Sequence, residues 1–152
     1  MEYWVTGAHE EIQSLKYLQV YVLVHQFTVP SDRHTMWGKL ICKCKCDNSG
    51  MVSHYKVRYV AKGYAQIFGV DFKKTTTPMA RLESFRLVLR LVASLNWDFQ
   101  QFNIKTAFVH GVLLPEEVAY MKQPPSFEES GKEDWVMKLN KSSYGIRQAS
   151  RI

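Results

Sequence analysis

Lys43, Lys45, His54, Lys56 and Arg58 sit at alternating positions of two strand-like runs. If the runs pair, they place four fixed positive charges and an imidazole on one surface, which suits the holding of phosphate. Lys39 to Cys46 alternates basic with small or apolar residues, Asp47-Asn48-Ser49-Gly50 is a strong turn signal, and Met51 to Lys62 reads as the returning strand. With four residues in the turn, Cys46 faces Met51 and Lys43 faces His54. The five basic residues then share one face, and Tyr55, Val57 and Tyr59 share the other with the cysteines. The plain alternative is a solvated strand face with no ligand.

Cys42, Cys44 and Cys46 are the three cysteines, two residues apart on one side of that strand. Their Cα atoms would stand roughly 6.6 Å apart, near the outer limit for a disulfide, with side chains nearly parallel. A zinc site lacks a fourth ligand, because hairpin pairing puts His54 on the opposite face. Small apolar strand residues are the simpler reading.

The elements around the ribbon follow from local pattern. Ala8 to Leu18 is weakly helical, and Val20 to Phe27 is rich in β-branched and aromatic residues and reads as a strand. Pro30-Ser31-Asp32 marks a loop. Thr75-Thr76-Thr77-Pro78 suits a helix start. The helix that follows begins between Pro78 and Ser84 and runs to about Asn96. Leu82, Phe85, Leu89 and Val92 keep the rhythm of a buried face, widened by Leu87, Val88, Leu91 and Leu95, so a helix buried against a sheet is expected. Trp97 to Ile104 has strand composition, Pro115 to Met121 is ambiguous, and Trp135 to Leu139 is a short strand candidate. The order of elements says α+β.

At 152 residues the chain fits one domain. With 46% hydrophobic and 13% aromatic residues it is not a disordered tail. No apolar run approaches a membrane span and the start does not read as a signal peptide, so a cytoplasmic or nuclear location is expected. Twenty Lys and Arg against fourteen Asp and Glu leave a net charge of +6, which favours a polyanionic partner, nucleic acid being the commonest.

Six blocks then occur in order. They are Tyr55-Lys56-Val57-Arg58-Tyr59-Val60-Ala61-Lys62-Gly63-Tyr64-Ala65-Gln66, Gly69-Val70-Asp71-Phe72, Thr77-Pro78-Met79-Ala80-Arg81, Ile104-Lys105-Thr106-Ala107-Phe108-Val109-His110-Gly111, Tyr120-Met121-Lys122-Gln123-Pro124-Pro125 and Tyr144-Gly145-Ile146-Arg147-Gln148-Ala149. Together they resemble the reverse transcriptase of copia-type LTR retrotransposons. The match is strong over 54–151 and weak over 1–53, where Leu40 stands in place of the usual Trp.

The resemblance implies an RNA-directed DNA polymerase of right-hand fold, an α+β arrangement in which this chain supplies the fingers and an incomplete palm, with an antiparallel ribbon and one long buried helix. It implies an RNA or DNA template-primer and deoxynucleotides as partners, and Mg²⁺ as cofactor held by three Asp. The first of those positions is Asn103, whose neutral amide is a poor substitute; the adjacent pair lies on a hairpin later than residue 152. Asp98 is five residues upstream, about 16 Å along an extended strand, too far to replace it. No good Mg²⁺ binding, and no polymerisation, is expected of this chain. The resemblance also assigns nucleotide contact to Arg58, with Lys62 and Lys56 as further candidates. Phe108 falls where the family excludes a ribose 2′ hydroxyl, and Tyr144, Gly145 and Gln148 fall beside the incoming base and template.

Other departures are two extra residues between Gly111 and Tyr120, Ser126 where Gly is usual after the Pro pair, Ser143 for an apolar residue and Ser150 for Pro. Three readings follow: a reverse-transcriptase fragment without its catalytic centre, a nucleic-acid-binding remnant without chemistry, or an unexpressed decayed copy.

Overall fold

The computed structural model describes residues 2–77, 80–104 and 106–152. Pro78 and Met79, where the helix start and one family block were expected, lie outside these residues, as does Lys105 of another block.

The first helix, α1, spans Glu2–Tyr17 and so begins six residues before the expected start. Glu2 in its first turn and Lys16 in its last both complement the helix dipole. Gly7, Ala8 and Leu15 are its buried positions. Gly7 is where the helix meets the ribbon: a Cβ there would stand 3.0 Å from Val57 Cγ2 and 3.3 Å from the Tyr55 carbonyl oxygen. The far end is fastened by Lys16, whose ammonium lies 2.8 Å from Glu129, a carboxylate that Lys132 also holds at 2.6 Å. Hydrogen bonds from Lys132 and Lys16 pull the Glu129 carboxyl down to about 2.

A four-stranded sheet follows the order β1-β6-β5-β2, formed by β1 (Tyr21–His25), β2 (Thr35–Met36), β5 (Tyr120–Lys122) and β6 (Trp135–Leu139). β2 runs parallel to β5 and the other pairs are antiparallel. The first strand ends earlier than expected because His25 turns the chain. Its Nδ1 accepts from the Phe27 N–H at 3.4 Å and its carbonyl accepts from Thr28 Oγ1 at 2.7 Å, closing a 3-10 turn at Gln26–Thr28.

The second sheet is the expected two-stranded ribbon, β3 (Gly38–Cys46) with β4 (Val52–Ala61). Its register differs from the expected one. Lys43 pairs with Lys56 and Lys45 with His54, and an irregularity between Lys45 and Cys46 sets Cys46 opposite Val52. The turn explains the difference. The Asp47 carboxylate accepts from the Ser49 N–H, the Ser49 hydroxyl and the Met51 N–H, and the Asp47 N–H donates to the Met51 carbonyl, so Met51 belongs to the turn. A shift of two residues preserves the faces. Lys43, Lys45, His54, Lys56 and Arg58 therefore share one side, as the alternation required.

The core joins both sheets and α1: Leu15, Val20, Met36, Tyr59, Met121, Met137 and Leu139 are each no more than 3% exposed. Tyr59 spans the junction, its hydroxyl donating to the Lys122 carbonyl at 2.8 Å, and burial pushes its phenol up to about 12.

Two expectations fail. The helix α2 occupies Leu82–Ser94 but none of its residues is buried, so it is not the buried helix the periodicity indicated. Leu82, Phe85, Leu87, Val88 and Leu91 are all about half exposed. Periodicity marks which side of a helix is apolar; it does not supply a surface to cover it. Trp97 to Ile104 forms no strand, since none of the described strands pairs with it and strand composition without a partner leaves the backbone irregular.

Ser126, which stands where the resemblance leads to the expectation of Gly, has φ of +67°. A side chain in that left-handed conformation costs roughly 1–2 kcal/mol. Ser126→Gly is expected to raise the stability to chemical denaturation by about 1 kcal/mol; an unchanged urea midpoint would contradict this.

Candidate nucleotide and nucleic-acid site

The open end of the basic ribbon carries the site. Arg58 lies opposite Ile41 on the ribbon, exposed, and its guanidinium carbon stands 5.0 Å from the centre of the Tyr144 ring. A guanidinium over an aromatic face is held by the ring's quadrupole, while its outer N–H groups stay available for a second partner. Phe108 completes the aromatic wall, with its ring centre 6.5 Å from that of Tyr144. Phe108, Tyr144, Gly145, Ile146, Ala149 and Ser150 line a cleft of about 290 Å³.

Gly145 makes this juxtaposition possible. Its φ is +88°, and a Cβ would fall 2.6 Å from Val60 Cγ1 and still closer to the Ala61 carbonyl oxygen. The Ala61 N–H donates to the Tyr144 carbonyl at 2.8 Å. A Cβ on Gly63 would collide with the Gly145 carbonyl oxygen. Two glycines from separate family blocks thus let two backbones touch, and this sets Tyr144 beside Arg58.

Lys56 faces Lys43 across the ribbon and is half-buried. Loss of water and then the charges of Arg58 and Lys45 push its ammonium down, opposed by Glu11. Lys62 is half-buried just past β4, and its N–H donates to the Trp37 carbonyl at 2.9 Å. Burial, followed by the Glu11 charge, raises the Tyr144 phenol, and Arg58 opposes both.

Gln148 is placed differently. It is fully buried, accepting from the Gln66 side chain at 3.1 Å and donating to the Asp71 carbonyl at 3.2 Å. Gln66 also accepts from the Arg147 N–H at 2.7 Å. Gln148 therefore fixes the Gln66–Phe72 segment under the Tyr144 turn and has no open face toward the cleft.

Asn103 is exposed on irregular chain, as is Asp98. Its carboxamide is a neutral donor that does not fit the carboxylate position the resemblance assigns to a metal ligand. Among the described residues no three His, Cys, Asp or Glu side chains gather as a metal-holding group. The three cysteines are free and exposed, with Cys42 and Cys44 on the face away from His54.

One participant had no signal in the sequence. Glu11 accepts from the Tyr59 N–H at 3.4 Å on the outer edge of β4. Forty-eight residues separate the two, and nothing in the local pattern of α1 pairs them.

Residues 18–152 match the family model for reverse transcriptase (RNA-dependent DNA polymerase). The chain belongs to that family. It is 42% identical over 142 residues to the retrovirus-related Pol polyprotein from transposon TNT 1-94 of Nicotiana tabacum, covering 93% of this chain and 10% of that protein. It is 38% identical over 107 residues to the corresponding polyprotein from transposon RE2 of Arabidopsis thaliana, covering 70% of this chain and 7% of that one. An uncharacterised mitochondrial protein of Arabidopsis thaliana is 28% identical over 103 residues, 64% of this chain and 59% of its own length. No solved structure matches. The resemblance to copia-type elements is borne out, and the chain spans a tenth or less of the transposon polyproteins it matches. These residues correspond to a segment of a retrotransposon Pol polyprotein that carries a reverse-transcriptase domain. Among the described residues no helix is long and apolar enough to cross a membrane.

Proposed function

We propose that the chain is the nucleotide- and template-holding part of a reverse transcriptase, a single domain corresponding to the fingers and the beginning of the palm of a right-hand polymerase. It holds phosphate on Arg58, Lys56 and Lys62, and stacks a base or sugar against Tyr144 and Phe108. It does not polymerise, because Asn103 stands in the position of the family's first metal-binding Asp. Mg²⁺ in the family supplies charge neutralisation for phosphoryl transfer, and these residues do not reproduce its carboxylate site. The observation that carries the binding reading is the Arg58 guanidinium resting on Tyr144 with a basic ribbon face behind it.

Binding of a fluorescent single-stranded RNA, followed by anisotropy between 50 and 200 mM salt, tests this reading. Arg58→Ala with Lys56→Ala is expected to weaken binding at least tenfold at the lower salt and to reduce the salt slope by about 1.4, roughly 0.7 for each cation removed from the phosphates of a single strand. Equal affinity and slope for the double variant and the parent protein would overturn it.

A further inference from the structure

The first helix carries carboxylates to the ribbon from outside the residues matched by the family model, which begin at Leu18. Glu11 is half-buried, and its Oε1 takes up the Tyr59 N–H on the outer edge of β4. A cleft of about 190 Å³ between α1 and β4 is walled by Glu10 and Glu11 on one side and by His54 and Lys56 on the other. It shares Gly7, Glu10, His54 and Tyr55 with a neighbouring cleft of about 440 Å³, so the space runs on along the helix. Arg58, two residues along β4 from Lys56, also feels the Glu11 charge, as does Tyr144 beneath the guanidinium. Among the described residues Glu11 makes no ion pair with either cation. It accepts instead from a backbone N–H, which holds its charge across the cleft from Lys56 without taking up the ammonium.

We propose that Glu11 is a built-in counter-anion for Lys56 and Arg58, a positioning residue that steadies the two cations in the free protein and competes with phosphate for them. The role rests on the reading of the ribbon as a phosphate grip, and it deepens that reading by naming what the ligand must displace. Three features support it. The Glu11 carboxylate and Lys56 line opposite walls of one cleft between α1 and β4. Burial, the largest influence on it, raises its proton affinity while the Tyr59 N–H, Arg58 and Lys56 hold the charge in place. Apart from Glu11, the charges that act on Lys56 are the like charges of Arg58 and Lys45. A phosphate arriving at Lys56 therefore meets a cation already partly neutralised, and binding must overcome that attraction.

The test uses the full chain with Glu11→Gln, and Glu133→Gln as a control with the same charge change on an exposed turn. Two measurements are made. In ¹³C-dimethylated protein, the NMR titration of Lys56 is expected to move to lower pH in Glu11→Gln and to stay in place in Glu133→Gln. In the anisotropy assay with single-stranded RNA, Glu11→Gln is expected to bind three- to tenfold more tightly at 50 mM salt, with the gain shrinking at 200 mM, and Glu133→Gln less than twofold more tightly. An unmoved Lys56 titration overturns the proposal. So does a shifted titration with unchanged or weaker RNA binding, since Glu11 would then not compete with phosphate. A shifted titration in a protein that binds no RNA at all leaves the counter-anion standing and retires the phosphate reading of the ribbon. Circular dichroism melting of both variants confirms that each retains the fold.

Discussion

Gly145→Ala is expected to destabilise the protein by about 3 kcal/mol or more. Two costs combine. A β-carbon at φ of +88° leaves the conformations available to L-residues, worth roughly 1–2 kcal/mol. The same atom would fall 2.6 Å from Val60 Cγ1 and nearer still to the Ala61 carbonyl oxygen, and such overpacking costs about 1–3 kcal/mol. Relief requires the Tyr144 turn to lift off the ribbon, which breaks the Ala61-to-Tyr144 hydrogen bond and pulls the ring from under Arg58. The total stability of a domain of this size is about 5–15 kcal/mol, so the substitution removes a large share of it. The urea midpoint and the RNA affinity should therefore fall together. A stability within about 0.5 kcal/mol of the parent, the scatter of ordinary surface substitutions, would mean that the close approach is not a constraint.

The basic face of the ribbon was legible because alternation in a hairpin is a local property. A misjudged turn shifted the pairing by two residues and left Lys43, Lys45, His54, Lys56 and Arg58 together. The register itself was not legible, since it depends on where the Asp47 side chain finds its donors. The two glycines show the complementary case. Gly63 and Gly145 belong to blocks 82 residues apart, and the sequence contains them without showing that they touch; only the three-dimensional path makes their lack of side chains necessary. Ser126 reverses the lesson. It stood out as a departure from the pattern the resemblance implies, and its left-handed backbone is one that Gly adopts without strain. Glu11 and α2 mark the limit of periodicity. The apolar stripe of α2 is real, yet no described element covers it, and the acidic residue that reaches the site sits on a helix with a weak stripe. Amphipathicity tells how a helix is divided between polar and apolar sides. It says nothing of partners that lie far away in sequence.

Purified protein given primer-template, deoxynucleotides and Mg²⁺ is expected to show no extension, and the cleanest dissection isolates Asn103. Residues 18–152 can replace the matching segment of an active copia-type reverse transcriptase, with either Asn103 or Asn103→Asp. The chimera with Asn103 should extend a primer at least a thousandfold more slowly than its Asp counterpart, a difference of about 4 kcal/mol in transition-state stabilisation. The argument is one of charge. Phosphoryl transfer leaves the protein little covalent chemistry to perform, so rate depends on position and neutralisation, and a neutral amide supplies no charge where a carboxylate would. Asp98 lies about 16 Å away along an extended chain and cannot reach the same point without refolding the segment between them. The side chain of Asn103 is exposed, so its replacement by Asp carries little folding cost, and any rate difference reports on the site. Equal rates for the two chimeras would show that the position is not a metal ligand in this family member. A slow Asp chimera that still binds primer-template would place the defect elsewhere in the segment, with the two extra residues between Gly111 and Tyr120 as the first to delete.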